Sequence, residues 1–333
     1  MLLLEAQFMK TAQRKKITRG YINPYRLSSK RTPKHWINFL SGKYADTHRY
    51  ALAPEGFEYP QDKKELVDTD PKVTWINHST FLIQHQNLNI LTDPIWSDRC
   101  SPFSFVGPLR QHKAGLDFES LPQIDLVLLS HNHFDHLDKP TVKALNKKFP
   151  NIFWIVPKGV AKWFRKLKIT QVLEFSWWEH IKLLDRNLKI TCVPAQHFSG
   201  RHLFNLNQTL WCGFVCEFLD TSKKIYFAGD TGYNPVQFKQ IGETFHEIDL
   251  SLIPIGAYAP KEFMEPIHVS PREAVHIHQE VGSKLSVGSH FKTFKLTQEG
   301  AEQPPFDLYC SMEEAELDHN TFRVLQPGET INW

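Results

Sequence analysis

One α/β domain, built from two sheets covered by helices, is the fold class this sequence predicts. Three observations predict it. From residue 73 onward, short apolar runs alternate with helix-length stretches. Some runs, above all 124–129, are almost continuously apolar, as strands buried on both faces are. Histidines and aspartates follow directly on the ends of those runs, where open α/β sheets collect their sites.

Residues 1–70 mix basic, aromatic and turn residues without a sustained period, including Tyr21, Pro24, Tyr25, Pro33, Trp36, Phe39, Pro54 and Pro60. They read as an irregular basic N-terminal arm packed on a main domain of residues 71–333. Eleven Lys or Arg in residues 1–50 stand against Glu5 and Asp46, a surplus of +9 that leaves −6 for the remainder. Such an arm suits an anionic membrane surface or nucleic acid, and equally a solvated extension.

Strands over 73–76, 79–83 and 88–92 open a meander broken at Gln86-Asn87. His78 falls between two of them and reads as structural rather than as a ligand. Asp93, closing the third strand before Pro94, reads either as a turn residue or as a carboxylate that orients a ligand histidine. The buried strand 124–129 then delivers His131, His133, Asp135 and His136. Period-2 spacing aims His131 and His133 the same way. A bend toward the helix announced by Pro140 and residues 141–149 lets Asp135 and His136 reach a neighbouring point. A lone loop histidine usually only hydrogen-bonds, but three with an aspartate inside six residues match metal-ligand chemistry. One nine-residue loop, 130–138, can thus serve two ions.

A strand over 153–156 and a helix over 160–167 follow, the latter with Trp163, Phe164 and Leu167 apolar. Trp177-Trp178 suit either an apolar groove or the core. The strand from 189 ends in His197, a candidate third histidine for the first ion, with His202 as a nearby competitor. Arg201 is either a phosphate-oxygen partner or a surface residue. Strands 210–218 and 224–228 come next, with Cys212 and Cys216 as core thiols. The second ends at Gly229-Asp230-Thr231-Gly232, where glycine permits close approach and makes Asp230 the bridging-ligand candidate. A helix over 234–245, a strand over 250–255 and a loop containing Tyr258 lead to His268. The helix over 270–281 opens on the capping box Ser270-Pro271-Arg272-Glu273, and its His276 and His278 face different ways. Strand 285–290 ends in His290. A closing helix after 300 and a short strand over 322–325 complete the chain.

At 333 residues and 41% hydrophobic, the chain has ample core for such a domain. No apolar run approaches the ~18–20 residues that cross a bilayer. The start, Met1-Leu2-Leu3-Leu4-Glu5, lacks a basic n-region, so a cleaved signal peptide is not expected. Five scattered cysteines without a Cys-x-x-Cys pair fit a reducing compartment. Walker, Gly-x-Ser-x-Gly and Rossmann fingerprints are absent from the sequence.

The order His-x-His-x-Asp-His, then His, then Asp, then His, resembles the metallo-β-lactamase superfamily. That resemblance implies a four-layered αβ/βα sandwich with a binuclear metal site at one sheet edge. Thr92-Asp93-Pro94-Ile95, Ser101-Pro102 with Gly107-Pro108, residues 130–138, Trp177-Trp178-Glu179, Gln196-His197, residues 227–233, residues 253–258 and His268-Val269 are similar, more narrowly, to N-acylphosphatidylethanolamine-hydrolysing phospholipases D. With His290, these matches fall within residues 73–325. The chain departs from that family at Asn77, where glycine is usual, at Ile267, where a polar residue is expected, and at Phe291-Lys292, where tryptophan and glycine are expected. Lys292 adds charge beside the second metal position; the metal ligands are untouched.

By this resemblance two zinc ions are bound, iron being an alternative at one position. His131, His133 and His197 hold one, Asp135, His136 and His290 the other, and Asp230 bridges them. His268 matches a non-ligand active-site histidine, and Arg201 and Tyr258 are candidates for binding substrate. Two divalent cations, two aspartates and a bridging hydroxide leave a net charge of about +1, which suits an anionic phosphodiester. The implied reaction is attack on phosphorus, with Asp135 and His268 as catalytic residues, releasing phosphatidic acid and an N-acylethanolamine. The expected partner is a phospholipid at a membrane surface. The expected location is cytoplasmic and peripherally membrane-associated; a homodimer is allowed, and no nucleic-acid partner is expected. The alternatives are a lactonase or small-ester hydrolase of the same fold, an RNA-processing nuclease, and a lipid-binding protein with a vestigial site.

Overall fold

The computed structural model describes residues 4–5, 20–25, 38, 50–62, 65–66 and 71–333. Most of the basic N-terminal arm, including Pro33, Trp36 and Phe39, lies outside the described residues. No described helix is long and apolar enough to cross a membrane.

Two mixed sheets face each other. The first has the order β15-β2-β3-β4-β5-β6-β7, with β2 Lys72–Asn77, β3 Thr80–His85, β4 Leu88–Thr92, β5 Leu126–Leu128, β6 Phe153–Pro157, β7 Val172–Phe175 and β15 Thr330–Asn332. The second has the order β1-β8-β9-β10-β11-β12-β13-β14. Its strands are β1 Leu4–Glu5, β8 His180–Leu183, β9 Leu188–Val193, β10 Gly213–Phe218, β11 Lys224–Phe227, β12 Ile248–Pro254, β13 Ser283–Ser289 and β14 Phe322–Arg323. Each sheet is antiparallel on one side and parallel on the other, from β4 to β7 and from β11 to β14.

Period-2 alternation sorts the first sheet's side chains into two layers. Val73, Trp75, Phe81, Ile83, Ile90, Leu126 and Leu128 join the core shared with the second sheet. Ile76, Leu82, Leu91, Val127 and Trp154 face the helices α1 Lys139–Lys148 and α2 Ala161–Lys166, packing on Val142, Leu145 and Phe164. Each such side chain contributes about 1.5–3 kcal/mol by burial. The second sheet is covered by α3 Gln237–Phe245 and α5 Pro271–Glu280, through Phe238, Ile241, Ala274 and Ile277. The short α4 Lys261–Met264 and the closing α6 Gln303–Glu314 complete the helices. Helix, sheet, sheet and helix give the four-layered sandwich the sequence implies.

The capping box of α5 forms as expected: the Ser270 amide donates to Glu273 Oε2 at 2.8 Å, with Pro271 in the first turn. Strands β1, β7, β8 and β15 and the short α4 are additions to the sequence reading, β1 being a strand within the arm read as irregular. β7 is half-buried along its whole length and β8 at alternate positions, so neither carries an unbroken apolar run.

The directions of the strands position the site. β2, β4 and β5 run one way in the first sheet, and β9, β11 and β13 share a direction in the second. His78, Asp93, His131, His197, Asp230 and His290 lie just beyond the C-terminal ends of these six strands. Gly229 has φ +61, and a Cβ there would sit 2.6 Å from Ser130 Cβ, so glycine lets the end of β11 press against the start of the 130–138 loop.

Trp75 links core to site. It is fully buried, stacks on Phe291 at 4.8 Å between ring centroids, and donates its indole N–H to the His78 carbonyl at 3.0 Å. Trp75→Ala is expected to lower unfolding free energy by about 3–5 kcal/mol in urea titration. A loss below about 1 kcal/mol would show that this contact does not anchor the sheet edge.

Candidate metal centre

The ligand-type residues converge. His131 Nε2 lies 2.8 Å from His133 Nδ1, which lies 3.3 Å from His197 Nε2. Asp230 Oδ2 stands 3.8 Å from His131 Nε2 and 3.7 Å from His197 Nε2. The same oxygen is 3.1 Å from both His136 Nε2 and His290 Nε2, which are each 3.4 Å from Asp135 Oδ2. With metal bonds of about 2.0–2.2 Å, tetrahedral donors sit roughly 3.3–3.6 Å apart, a spacing these atoms approach without rearrangement. Two four-residue groups result: His131, His133, His197 and Asp230, and His78, Asp135, His136 and His290.

The donor atoms fit cations on a second ground. His136 Nε2, His290 Nε2 and Asp230 Oδ1 are buried and form no hydrogen bond. Buried polar atoms are rarely left so, and cations held by these side chains would supply the missing partners.

Electrostatics divides the two groups. Burial, reinforced by neighbouring imidazoles, holds His131 and His197 well below the ordinary histidine range, and burial pushes His133 down to about 4. Their lone pairs are therefore available near neutral pH. At the second group burial again opposes charge on His136 and His290, but the Asp230 and Asp135 carboxylates outweigh it. They raise His136 well above the usual value and His290 to about 9. Burial would raise both aspartates, yet His136 and His290 hold them well below the usual carboxylate range. A cation held here would take the place of the protons that the carboxylates keep on these imidazoles.

A surrounding layer fixes the donors. Asp93 accepts from the Ser130 amide at 2.7 Å, the Ser130 hydroxyl at 2.5 Å and His136 Nδ1 at 2.6 Å. This is the orienting role weighed for it in the sequence, and it turns His136 Nε2 toward Asp230. His197 Nδ1 donates to the Ile267 carbonyl at 2.8 Å, which frees Nε2 for the site. Asp138 accepts from the hydroxyls of Ser97 at 2.7 Å and Thr141 at 2.6 Å, anchoring the far end of the loop.

His268 lies with Asp230 and His290, its ring 5.1 Å from those of His197 and His290. His78, read from the sequence as structural rather than as a ligand, stands beside the second group: its Nε2 is 3.0 Å from Asp135 Oδ2 and its ring centroid 4.1 Å from that of His290. The cue was present in its position just after β2, which ends at the same edge as the other donors.

The two substrate-binding candidates, Arg201 and Tyr258, both make hydrogen bonds within the fold. Arg201 donates through Nη1 to the carbonyls of Asn132 at 3.0 Å and Leu137 at 2.8 Å, with its guanidinium 3.8 Å over the Phe134 ring. It clamps both ends of the metal loop. The Tyr258 hydroxyl donates to buried Asp307 at 2.6 Å, which commits it within the fold. His202 is exposed and starts the turn Leu203–Asn205, so it does not compete with His197. Cys212 and Cys216 are buried, as expected of core thiols. Trp177 donates to the Trp211 carbonyl at 2.7 Å and, with Trp178, packs against the core.

Asp93→Asn keeps the shape of this support but removes its charge. It is expected to weaken metal binding by about 10–100-fold in competition with a chromophoric chelator. Unchanged affinity would contradict the orienting role.

The β-lactamase superfamily domain model matches residues 88–291. N-acyl-phosphatidylethanolamine-hydrolyzing phospholipase D 1 of Caenorhabditis elegans is 36% identical over 294 residues, covering 81% of this chain and 82% of that protein. The mitochondrial N-acyl-phosphatidylethanolamine-hydrolyzing phospholipase D of Saccharomyces cerevisiae is 35% identical over 234 residues, covering 69% of this chain and 49% of that protein. Among solved structures, Igni18, a metallo hydrolase from Ignicoccus hospitalis, superposes with a TM-score of 0.58 at 22% identity, covering 78% of this chain and 97% of its own, and supports the fold alone. The strand-end donors and these matches together make this chain a member of the β-lactamase superfamily, a metal-dependent hydrolase related to the N-acylphosphatidylethanolamine-hydrolysing phospholipases D.

Proposed function

We propose that the protein is a zinc-dependent phosphodiesterase of phospholipase D type that hydrolyses N-acylphosphatidylethanolamine to phosphatidic acid and an N-acylethanolamine. The observation that carries this reading is Asp230 Oδ2, common to two clusters of buried imidazoles and so placed to join two cations. His131, His133 and His197 would hold one ion, and Asp135, His136 and His290 the other. When bound, such a pair supplies positive charge for an anionic phosphodiester and lowers the pKa of water toward about 7.

The chain's own groups do the rest. Asp135 and Asp230 limit the positive charge of the site, and the burial of His131, His136, His197, Asp230 and His290 restricts the access of bulk water. His268, beside Asp230 and His290, would donate to a phosphate oxygen or to the departing alkoxide. Water adds its oxygen to phosphorus, the bond from phosphorus to the N-acylethanolamine oxygen breaks, and one proton passes to that oxygen.

The substrate is an amphiphile, and one surface feature suits it. Phe103, Phe105, Val106 and Leu109 are exposed on a loop whose base is bridged, through Arg110, to Phe294, four residues beyond His290. An apolar tip whose base pairs with the segment that follows a metal-ligand candidate supports peripheral attachment to a lipid surface.

Zinc-loaded protein mixed with vesicles containing N-acylphosphatidylethanolamine is expected to produce phosphatidic acid and N-acylethanolamine in equal amounts. Chelation should abolish the reaction and zinc should restore it. His268→Ala should retain both ions while kcat falls by about 10²–10⁴-fold. Absence of phosphatidic acid would refute the substrate assignment, and turnover of soluble esters without vesicles would point to the small-ester hydrolase.

A further inference from the structure

The described piece of the N-terminal arm at residues 20–25 runs against the backbone of His197. The Asn23 side chain closes a two-bond ring with the peptide groups of His197: Nδ2 donates to the His197 carbonyl at 3.0 Å, and the His197 amide donates to Oδ1 at 3.2 Å. The carboxamide thus takes the place of a neighbouring strand at a residue that lies beyond the end of β9 and outside its ladder. Asn23 Oδ1 also accepts from the Trp211 indole at 2.9 Å. Trp211 is buried and immediately precedes Cys212, whose amide donates to the Ser130 carbonyl at 3.0 Å, next to His131.

Either side of Asn23, the segment is fastened to the main domain. The Tyr21 amide donates to the Asn207 carbonyl at 2.8 Å, and the Tyr25 hydroxyl donates to Gln240 Oε1 on α3. Gly20, at φ +155, approaches so closely that a Cβ would meet the Asn207 carbonyl oxygen at 2.7 Å. The strap therefore crosses from the loop after His197 to a helix of the second sheet.

The strap holds the peptide groups of His197 itself, while Thr231 and Gly232 hold those of the preceding Gln196. The imidazole is fixed on one side by the bond from Nδ1 to the Ile267 carbonyl, which sets rotation and tautomer but not the position of the backbone. The backbone of His197 is held by Asn23, 174 residues away in sequence. We propose that Asn23 is a positioning residue for the first metal position, so that residues 20–25 act as a strap completing the metal centre. Withdrawal of this strap, by cleavage or by a partner that engages the arm, would release the ion held by His131, His133 and His197. The inference rests on the reading of His197 as a ligand given under the proposed function.

Metal titration of the full-length chain with a competing chromophoric chelator tests this without lipid turnover. Wild-type protein should bind two zinc ions, and Asn23→Ala should weaken one of the two by about 10–100-fold while the other shifts less than about 3-fold. Asn23→Asp, which keeps the acceptor for both N–H groups but loses donation to the His197 carbonyl, should fall between, and it serves if the alanine variant fails to fold. Tyr25→Phe, which removes one anchor of the strap but leaves Asn23 in place, should weaken the same ion by less than Asn23→Ala does and leave the other within about 2-fold. The discriminating measurement is the double-mutant cycle: in a His197→Ala background, Asn23→Ala or Asn23→Asp should cause no further change in metal binding. Equal weakening of both ions, unchanged affinities, or a further loss in the His197→Ala background would overturn the strap. Failure of wild-type protein to bind two ions would overturn the functional reading and the strap together.

Discussion

Everything in this molecule depends on holding two carboxylates against imidazoles at one edge of two sheets. Asp230 is buried and Asp135 mostly so, among His131, His136, His197 and His290, which are almost completely removed from water. Ionised groups in such surroundings are costly unless each is paired, and the cost is met only when donors from different strands meet within a few ångströms. The shared direction of the strands before His78, His131, His197, Asp230 and His290 provides that meeting point. The sandwich is thus as much a frame for charge as a hydrophobic core.

Around this frame, restraint increases outward from the donors. Asp93 fixes His136 and Ser130 together, Ile267 fixes the His197 ring, and Arg201 closes the two ends of the loop from Asn132 to Leu137. These contacts join both sheets and the loops between them, so the metal positions are defined by tertiary structure rather than by the 130–138 loop alone. A cation bound there would stabilise the folded chain through the same contacts, since the unfolded chain has no comparable site.

Much of this was legible beforehand because ligand residues fell where apolar runs stopped. A buried strand announces itself by continuous apolar residues, and a histidine directly after it has a predictable place. The half-buried β7 and β8 offered no such run, and β15 is three residues long, so pairing with β2 rather than local pattern defines it. His78 was hidden by its setting in a polar break after Asn77, and only the direction of β2 reveals where its ring goes. The contacts of Arg201 and Tyr258 are hidden from the sequence for a different reason. Residue type shows that a guanidinium or phenol needs a partner, but the partners were Asn132, Leu137 and Asp307, contacts that no spacing in the sequence encodes.

The central claim is that one carboxylate joins two cations at this edge. Anomalous X-ray diffraction from crystals of the zinc-loaded protein, recorded on both sides of the zinc absorption edge, tests it most directly. Two peaks about 3.5–4 Å apart, flanking the carboxylate of Asp230, are the result predicted. A single peak, or two peaks of which only one borders Asp230, would contradict it.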